Sequence, residues 1–342
     1  MKQYLLPESG RFYKANLHMH TTVSDGTMTP EETKKAFLEK GYSIVAFTDH
    51  EVLVPQNDLT DDNFLAITSF EAAVNDDWPG GYDHVRCYHL NLYAKDRNAD
   101  VSSVLDPRYI TKRQSENYLN EASAAINYRR YYSIAGVNDL IRRANEEGFL
   151  VSYNHPVWSN QRYPDYAGLK GLWGVEVFNG GCNCGGYIEN TQAFDDLLHL
   201  GETPFPLCTD DAHAITGCFR GWTQVKAESL EYGDVMSALE KGDFYSSIGP
   251  EINELYIEDN MLHIKTSEVR EIFLRSDRRF CCSRRGTVEA PVTEATFNLT
   301  QFFKESRDAK ILRDRPYFRL EVVDHEGRSA YTRAYFVDEI QA

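Results

Sequence analysis

Short apolar, β-rich runs recur along the first two thirds of the chain, at 13–17, 43–47, 64–69, 85–93, 149–153, 174–178 and 204–208. Several have helix-patterned neighbours. Thr29-Pro30-Glu31-Glu32 predicts a helix start, with Thr29 as N-cap, Pro30 in the first turn and Glu32 closing a capping box; Gly41 predicts its end. Residues 137–147 place Leu140, Ile141 and Ala144 at helical spacing before Gly148. Residues 191–200 do the same with Phe194, Leu197 and Leu198 before Gly201. Strand–helix alternation of this kind predicts a parallel sheet or barrel.

Two stretches break the alternation. Residues 96–136 are polar and Tyr-rich, with a helical pattern over 115–128, and are expected to form an insertion over one face. Beyond Gly249-Pro250 the runs become short and alternating, at 254–257, 262–265, 271–274, 317–323 and 330–337, with turn signals at Asp259-Asn260 and Glu326-Gly327. The expected organisation is an α/β barrel over 1–250 and a smaller antiparallel β-sandwich over 251–342.

Charge and cysteine content narrow the function classes. The net charge is −16; residues 1–250 hold 21 basic and 35 acidic side chains, and residues 251–342 hold 15 and 17. The acidic field of the first part disfavours polynucleotide, although bound cations can reverse the local potential for a small anion. Seven cysteines without a CxxC pair point to free thiols in a reducing cytoplasm. No run approaches the ~20 apolar residues of a membrane span, and the first residues lack the pattern of a secretory leader.

The metal-capable side chains are concentrated at run ends. The first run ends in His18-Met19-His20, whose i and i+2 side chains point the same way in an extended chain. The second ends in Thr48-Asp49-His50, and Glu71 follows the third. The fourth contains His89, with His84 competing for the same role; the fifth ends in Asn154-His155-Pro156 and the seventh in Asp210-Asp211-Ala212-His213. Six of the ten histidines thus fall at these positions, where barrel closure brings distant residues to one rim. Packing alone gives no reason to crowd six imidazoles together, because neutral rings would have to satisfy one another's donors and acceptors.

As a set, His18-x-His20, Ser24-Asp25-Gly26, Thr48-Asp49-His50, Glu71, His89-Leu90-Asn91-Leu92, Asn154-His155-Pro156 and Asp211-Ala212-His213 resemble the PHP (polymerase and histidinol phosphatase) superfamily over roughly 11–250. The resemblance implies a distorted (β/α)7 barrel holding two or three divalent ions, Zn, Mn or Fe. It implies one ion on His18, His20, Glu71 and Asp211, a second on Glu71, His89 and His155, and a third on Asp25, His50 and His213. The implied activity is metal-dependent hydrolysis of a phosphoester. Paired cations lower the pKa of a shared water and neutralise charge developing on the phosphoryl group.

Other candidates support rather than bind the ions. Asp49 is a candidate catalytic group that orients a ring or shuttles a proton, and Arg220 a candidate phosphate clamp. Asn154 and Asn179 are candidate donors to substrate oxygens, with turn roles as the alternative. Asp210 has candidate orienting and capping roles, and Glu176, on the sixth run, is not counted as a ligand. The expected partner is a small phosphorylated substrate. The alternatives are a nuclease or nucleotide-end phosphodiesterase, and a non-catalytic metal scaffold whose C-terminal part binds a partner. No GxSxG, P-loop or GxGxxG stretch occurs, which disfavours serine hydrolases and nucleotide-dependent transferases.

Overall fold

The seven apolar runs become strands, preceded by a short strand β1 (Gln3–Tyr4). They are β2 (Arg11–Asn16), β3 (Ile44–Phe47), β4 (Leu65–Asn75), β5 (Cys87–Ala94), β6 (Phe149–Tyr153), β7 (Gly174–Asn179) and β8 (Phe205–Thr209). Two further strands, β9 (Trp222–Ala227) and β10 (Phe244–Ser247), complete this part. The structure is a computed structural model that describes residues 2–77, 84–110, 112–308 and 315–340.

The sheet is mixed rather than uniformly parallel. Strands β2, β3 and β4 are parallel, as are β6, β7 and β8, while β5 runs antiparallel to both β4 and β6 and β9 antiparallel to β2. The reversal of β5 follows from its connection. Only residues 76–86 separate β4 from β5, fewer than the dozen or more that a crossover between parallel strands needs.

The capping signals operate as read. Thr29 accepts from Glu32 N, Glu32 reaches back to Thr29 N, and the helix Pro30–Glu39 begins on Pro30. The helix Ile134–Glu146 buries Val137, Leu140, Ile141 and Ala144, and the helix Gln192–His199 buries Phe194, Leu197 and Leu198. These faces pack on β5, β6 and β7 around Leu90, Leu92, Val151, Val175 and Val177. At ~25 cal/mol per Å² of apolar surface, each fully buried Leu or Phe contributes roughly 1.5–3 kcal/mol.

The insertion differs from the helical expectation. Residues 113–118 form a tight 3-10 stretch and Glu121–Ala124 a single helical turn. Polar side chains divert this chain from a longer helix. Ser115 Oγ donates to Val23 O, Ser123 Oγ to Asp100 O, and Asn120 caps Ser123 N.

The later strands are β11 (Ile252–Glu258), β12 (Met261–Val269), β13 (Glu271–Ser276), β14 (Cys281–Arg285), β15 (Val292–Asn298), β16 (Tyr317–Val323) and β17 (Ser329–Thr332). One antiparallel sheet has the order β1-β11-β12-β15; its β11–β12 hairpin turns on Asp259 and Asn260, at φ +50° and +62°. The other order, β14-β13-β16-β17, continues through β17–β10 pairing into the sheet of the first part. The two sheets share a core that includes Leu255, Ile264, Leu274, Phe297, Phe318 and Leu320, and Leu5 and Leu6 join it. Arg319 on β16 reaches Asp195 on the helix Gln192–His199 with two hydrogen bonds of 2.9 and 2.8 Å. Among the described residues, no helix is long and apolar enough to cross a membrane.

Candidate metal centre

The first and last ligand-bearing strand ends lie side by side. Met19 and Ala212 form a parallel bridge, with Asp211 N donating to His18 O and His20 N to Ala212 O. Met19 and Ala212 are buried in an apolar cluster behind the bridge. Alternation along the chain then turns His18 and His20 towards Asp211. His50 bridges to Glu71 in the same way, so the ends of β3 and β4 present their groups together. His89 lies near the start of β5, opposite Ala73. Because β5 runs backwards, its beginning falls on the rim that the other strands reach at their ends.

All nine side chains converge. His18 Nε2 lies 3.1 Å from His20 Nε2, 3.3 Å from Glu71 Oε1 and 3.2 Å from Asp211 Oδ1. His20 Nε2 lies 3.5 Å from Glu71 Oε2 and 3.1 Å from Asp211 Oδ1. Glu71 also receives His50 Nδ1 at 3.0 Å, His89 Nδ1 at 3.2 Å and His155 Nε2 at 3.5 Å. Asp25 stands 3.5 Å from His213 Nε2 and 3.8 Å from His50 Nε2. Four overlapping groups result: His20, Asp25, His50 and His213; His18, His155 and Asp211; His18, His20 and Glu71; and His50, Glu71 and His89. His20 therefore faces the Asp25 group as well as the inner one, and His84 is exposed and outside all four.

The donor set fits divalent cations. Atoms held ~2.0–2.1 Å from one tetrahedral ion stand about 3.3 Å apart, and the two imidazole nitrogens of His18 and His20 stand 3.1–3.5 Å from each other and from their nearest Glu71 and Asp211 oxygens. The two imidazole nitrogens that face each other need a cation or a shared proton between them, and His20 Nδ1 is buried without a hydrogen-bond partner.

Residues 16–123 match the family model for the PHP domain. Among solved structures it is similar to a two-domain protein from Bacteroides vulgatus ATCC 8482 containing a predicted PHP-like metal-dependent phosphoesterase, at 15% identity and TM-score 0.45, over 97% of this chain and 98% of that one. It is also similar to an amidohydrolase from Chromobacterium violaceum with bound sulfate, at 15% identity and TM-score 0.34, over 59% and 88% of the two chains. A lesion-specific endonuclease from Pyrococcus furiosus aligns at 15% identity and TM-score 0.43, over 67% and 56%. No curated protein matches the chain.

Buried polar groups fix the side chains of this cluster. His18 Nδ1 donates to Glu176 Oε1 at 2.7 Å, and Glu176 also accepts from His155 N, Asn179 Nδ2 and Thr209 Oγ1. This holds the Nε2 edge of His18 towards the cluster. Asn154 donates to Glu71 Oε1 at 2.8 Å and Asn179 to Asp211 Oδ2 at 3.0 Å, so both amides are spent on carboxylates of the cluster. The sequence offered a signal for Glu176 that went unused: a carboxylate inside an apolar strand run needs a buried partner.

Asp49 turns away from the cluster. Its oxygens accept from Thr21 N, Thr21 Oγ1, Ser24 N and Ser24 Oγ, which pins the loop that carries Asp25. Asp210 accepts from Phe219, Arg220 and Gly221 N, and burial pushes its pKa up to about 6 against those bonds. Arg220 lines the cleft, with Nη2 on Thr216 O.

Charge and strain concentrate here. Burial raises the Glu71 and Asp211 carboxyls, but the surrounding imidazoles outweigh it and hold both well below the ordinary range. Burial lowers His18 and His89, yet facing carboxylates, Asp211 first for His18 and Glu71 for His89, hold both well above theirs. Burial with His213 and His50 alongside drives His20 down to about 3. His155 and Asp211 have φ of +28° and +49°, and Glu51, next to His50, has +62°. Such conformations cost of order 1–3 kcal/mol each and persist where the surroundings over-determine them.

Proposed function

We propose that the protein is a metal-dependent hydrolase of small phosphoesters, with two or three divalent ions held by His18, His20, Asp25, His50, Glu71, His89, His155, Asp211 and His213. The convergence of these nine side chains, six of which line one cleft, carries the reading. Six imidazoles with three carboxylates suit Zn, Mn or Fe better than Mg or Ca. Such ions, when bound, supply Lewis acidity and lower the pKa of a shared water towards neutrality.

The residues of the chain position the rest. Glu176, Asn154 and Asn179 hold the inner ligands in place, and Asp49 acts as an anchor of the Asp25 loop rather than as a proton shuttle. Arg220 reads as the anion clamp on the cleft wall. The cleft, of about 550 Å³, is walled by Trp158, Cys182 and Tyr187, and among the described residues Arg220 is its one Lys or Arg side chain. That size and charge support a small substrate over a polynucleotide, which is gripped through many phosphates. We place this chemistry on residues 1–250, a distorted (β/α)7 barrel, with 251–342 as an accessory sandwich. Seven free thiols support a reducing, cytoplasmic setting.

The test is metal analysis of the purified chain with a phosphomonoester and diester screen, repeated on His20→Ala and Asp211→Asn. The reading expects bound divalent metal and phosphate release that both variants lose. Metal-loaded protein inert towards every ester would contradict it.

A further inference from the structure

The insertion is long and has little regular structure, yet it makes its buried contacts beside the metal centre. Glu51 directly follows His50, and its N–H donates to Glu71 O at 2.9 Å. Its carboxylate is gripped by both ends of the Arg130 guanidinium, Nη1 to Oε1 at 2.6 Å and Nη2 to Oε2 at 2.8 Å. The same guanidinium donates to Val104 O at 2.8 Å and to Ala73 O at 2.9 Å, and Ala73 N donates back to Glu51 Oε1 at 2.8 Å. Both side chains of the pair are 1% exposed. One planar fork therefore ties the insertion, the residue after His50 and the strand two residues beyond Glu71 into a single unit.

A second set of contacts reaches the other exposed ligand. Ser115 Oγ donates to Val23 O at 2.8 Å and Gln114 Nε2 to Ser24 O at 2.7 Å, on the loop that presents Asp25. Asp49 holds that loop through Thr21 and Ser24, so the insertion and Asp49 grip it together. Asp25, His50 and His213 are the more exposed ligands, with side chains at 22%, 20% and 43%, whereas His18, His20 and Glu71 are almost fully buried. The inner ligands are fixed by Glu176, Asn154 and the strand ends. The outer ones depend on loops.

We propose that residues 100–133 are a positioning clamp for the outer group of His20, Asp25, His50 and His213, acting through Arg130 on Glu51 and through Gln114 and Ser115 on the Asp25 loop. The proposal rests on the metal reading above and adds that the outermost ion owes its site to the insertion. A buried ion pair is weak support for stability but strong support for geometry. Its desolvation cost offsets much of its attraction, while its bidentate bonds allow one arrangement. A left-handed Glu51 held by three hydrogen-bonded partners is the strained residue such a device would set.

The experiment compares the wild type with two double variants, Glu51→Gln/Arg130→Met, which removes both buried charges together, and Gln114→Ala/Ser115→Ala, which touches only the loop bonds. Each is loaded with Mn²⁺, dialysed and assayed for bound metal per chain and for the affinity of the weakest ion, with circular dichroism to show folding. The clamp predicts that both variants keep the inner ions and lose the weakest, or bind it about ten-fold or more less tightly. Folded variants with wild-type stoichiometry and affinity would overturn it, as would uniform loss of all ions. A wild type with two ions only, and no weaker third, would also overturn it. A wild type that binds no ion at all would instead remove the metal reading on which it stands. Should the first variant fail to fold, the second decides.

Discussion

His18 Nδ1 donates to Glu176 Oε1 across 2.7 Å, with both side chains fully buried. The bond fixes which ring nitrogen faces the cluster, which makes Glu176 a positioning residue for His18. Glu176→Gln keeps an acceptor for Nδ1 and removes the charge. Metal affinity is expected to fall about 10–100-fold, with a lower melting temperature as well, because the new amide NH2 faces the His155 N and Asn179 Nδ2 donors. Competition with a chelating dye reads this directly, and unchanged affinity would remove Glu176 from the site.

Gly26 closes the Ser24-Asp25-Gly26 turn, where a Cβ would lie 2.4 Å from His20 O and 2.6 Å from His20 C. Backbone cannot yield as a flexible side chain can. Gly26→Ala is expected to cost about 1–3 kcal/mol and to displace the His20 main chain. Thermal melting checks the first effect and metal content the second. A variant with wild-type stability and occupancy would show that the turn has slack.

Among the described residues, Arg220 is the one Lys or Arg side chain on the cleft wall. Removing it should leave the ions in place and weaken the substrate. Arg220→Ala is expected to lower kcat/KM about ten-fold or more, since hydrogen bonds to charged groups contribute roughly 1.5–3 kcal/mol. Lys should restore only part of this, lacking the planar fork. Kinetics at equal metal content tests it, and a change under two-fold would contradict the role.

Glu189 holds the loop after His155 by accepting from Val157 N and Trp158 N. Burial raises its pKa from 4.5 to about 7 despite those bonds. A carboxyl raised in the folded state stays protonated while the unfolded chain ionises, so stability falls as pH rises from about 4.5 to about 7 and is level above. At 1.36 kcal/mol per pKa unit the span is on the order of 3 kcal/mol. Denaturant titrations across that window should show the slope, and Glu189→Gln should flatten it. An equal slope in the variant would place the ionisation elsewhere.

The strand runs, helix caps and ligand positions were legible because each is local: alternation, capping and i, i+2 spacing act within a few residues. Trp222–Ala227 and Phe244–Ser247 were missed as strands, since their place depends on pairing with β2 and β17. The reversal of β5 was equally hidden, although it is what turns His89 onto the rim. Asp49 is a candidate ring-orienting or proton-carrying group by its adjacency to His50, but two residues past the end of β3 its side chain points instead to Thr21 and Ser24. The work of Arg130 could not be read at all, because its partner Glu51 is 79 residues away and nothing local marks the pair.

The most direct measurement is anomalous diffraction from crystals grown with Mn²⁺ or Zn²⁺. Two or three peaks enclosed by His18, His20, Glu71, Asp211 and their neighbours are the predicted result. An undistorted cluster without a peak, or ions bound only elsewhere on the chain, would contradict the account.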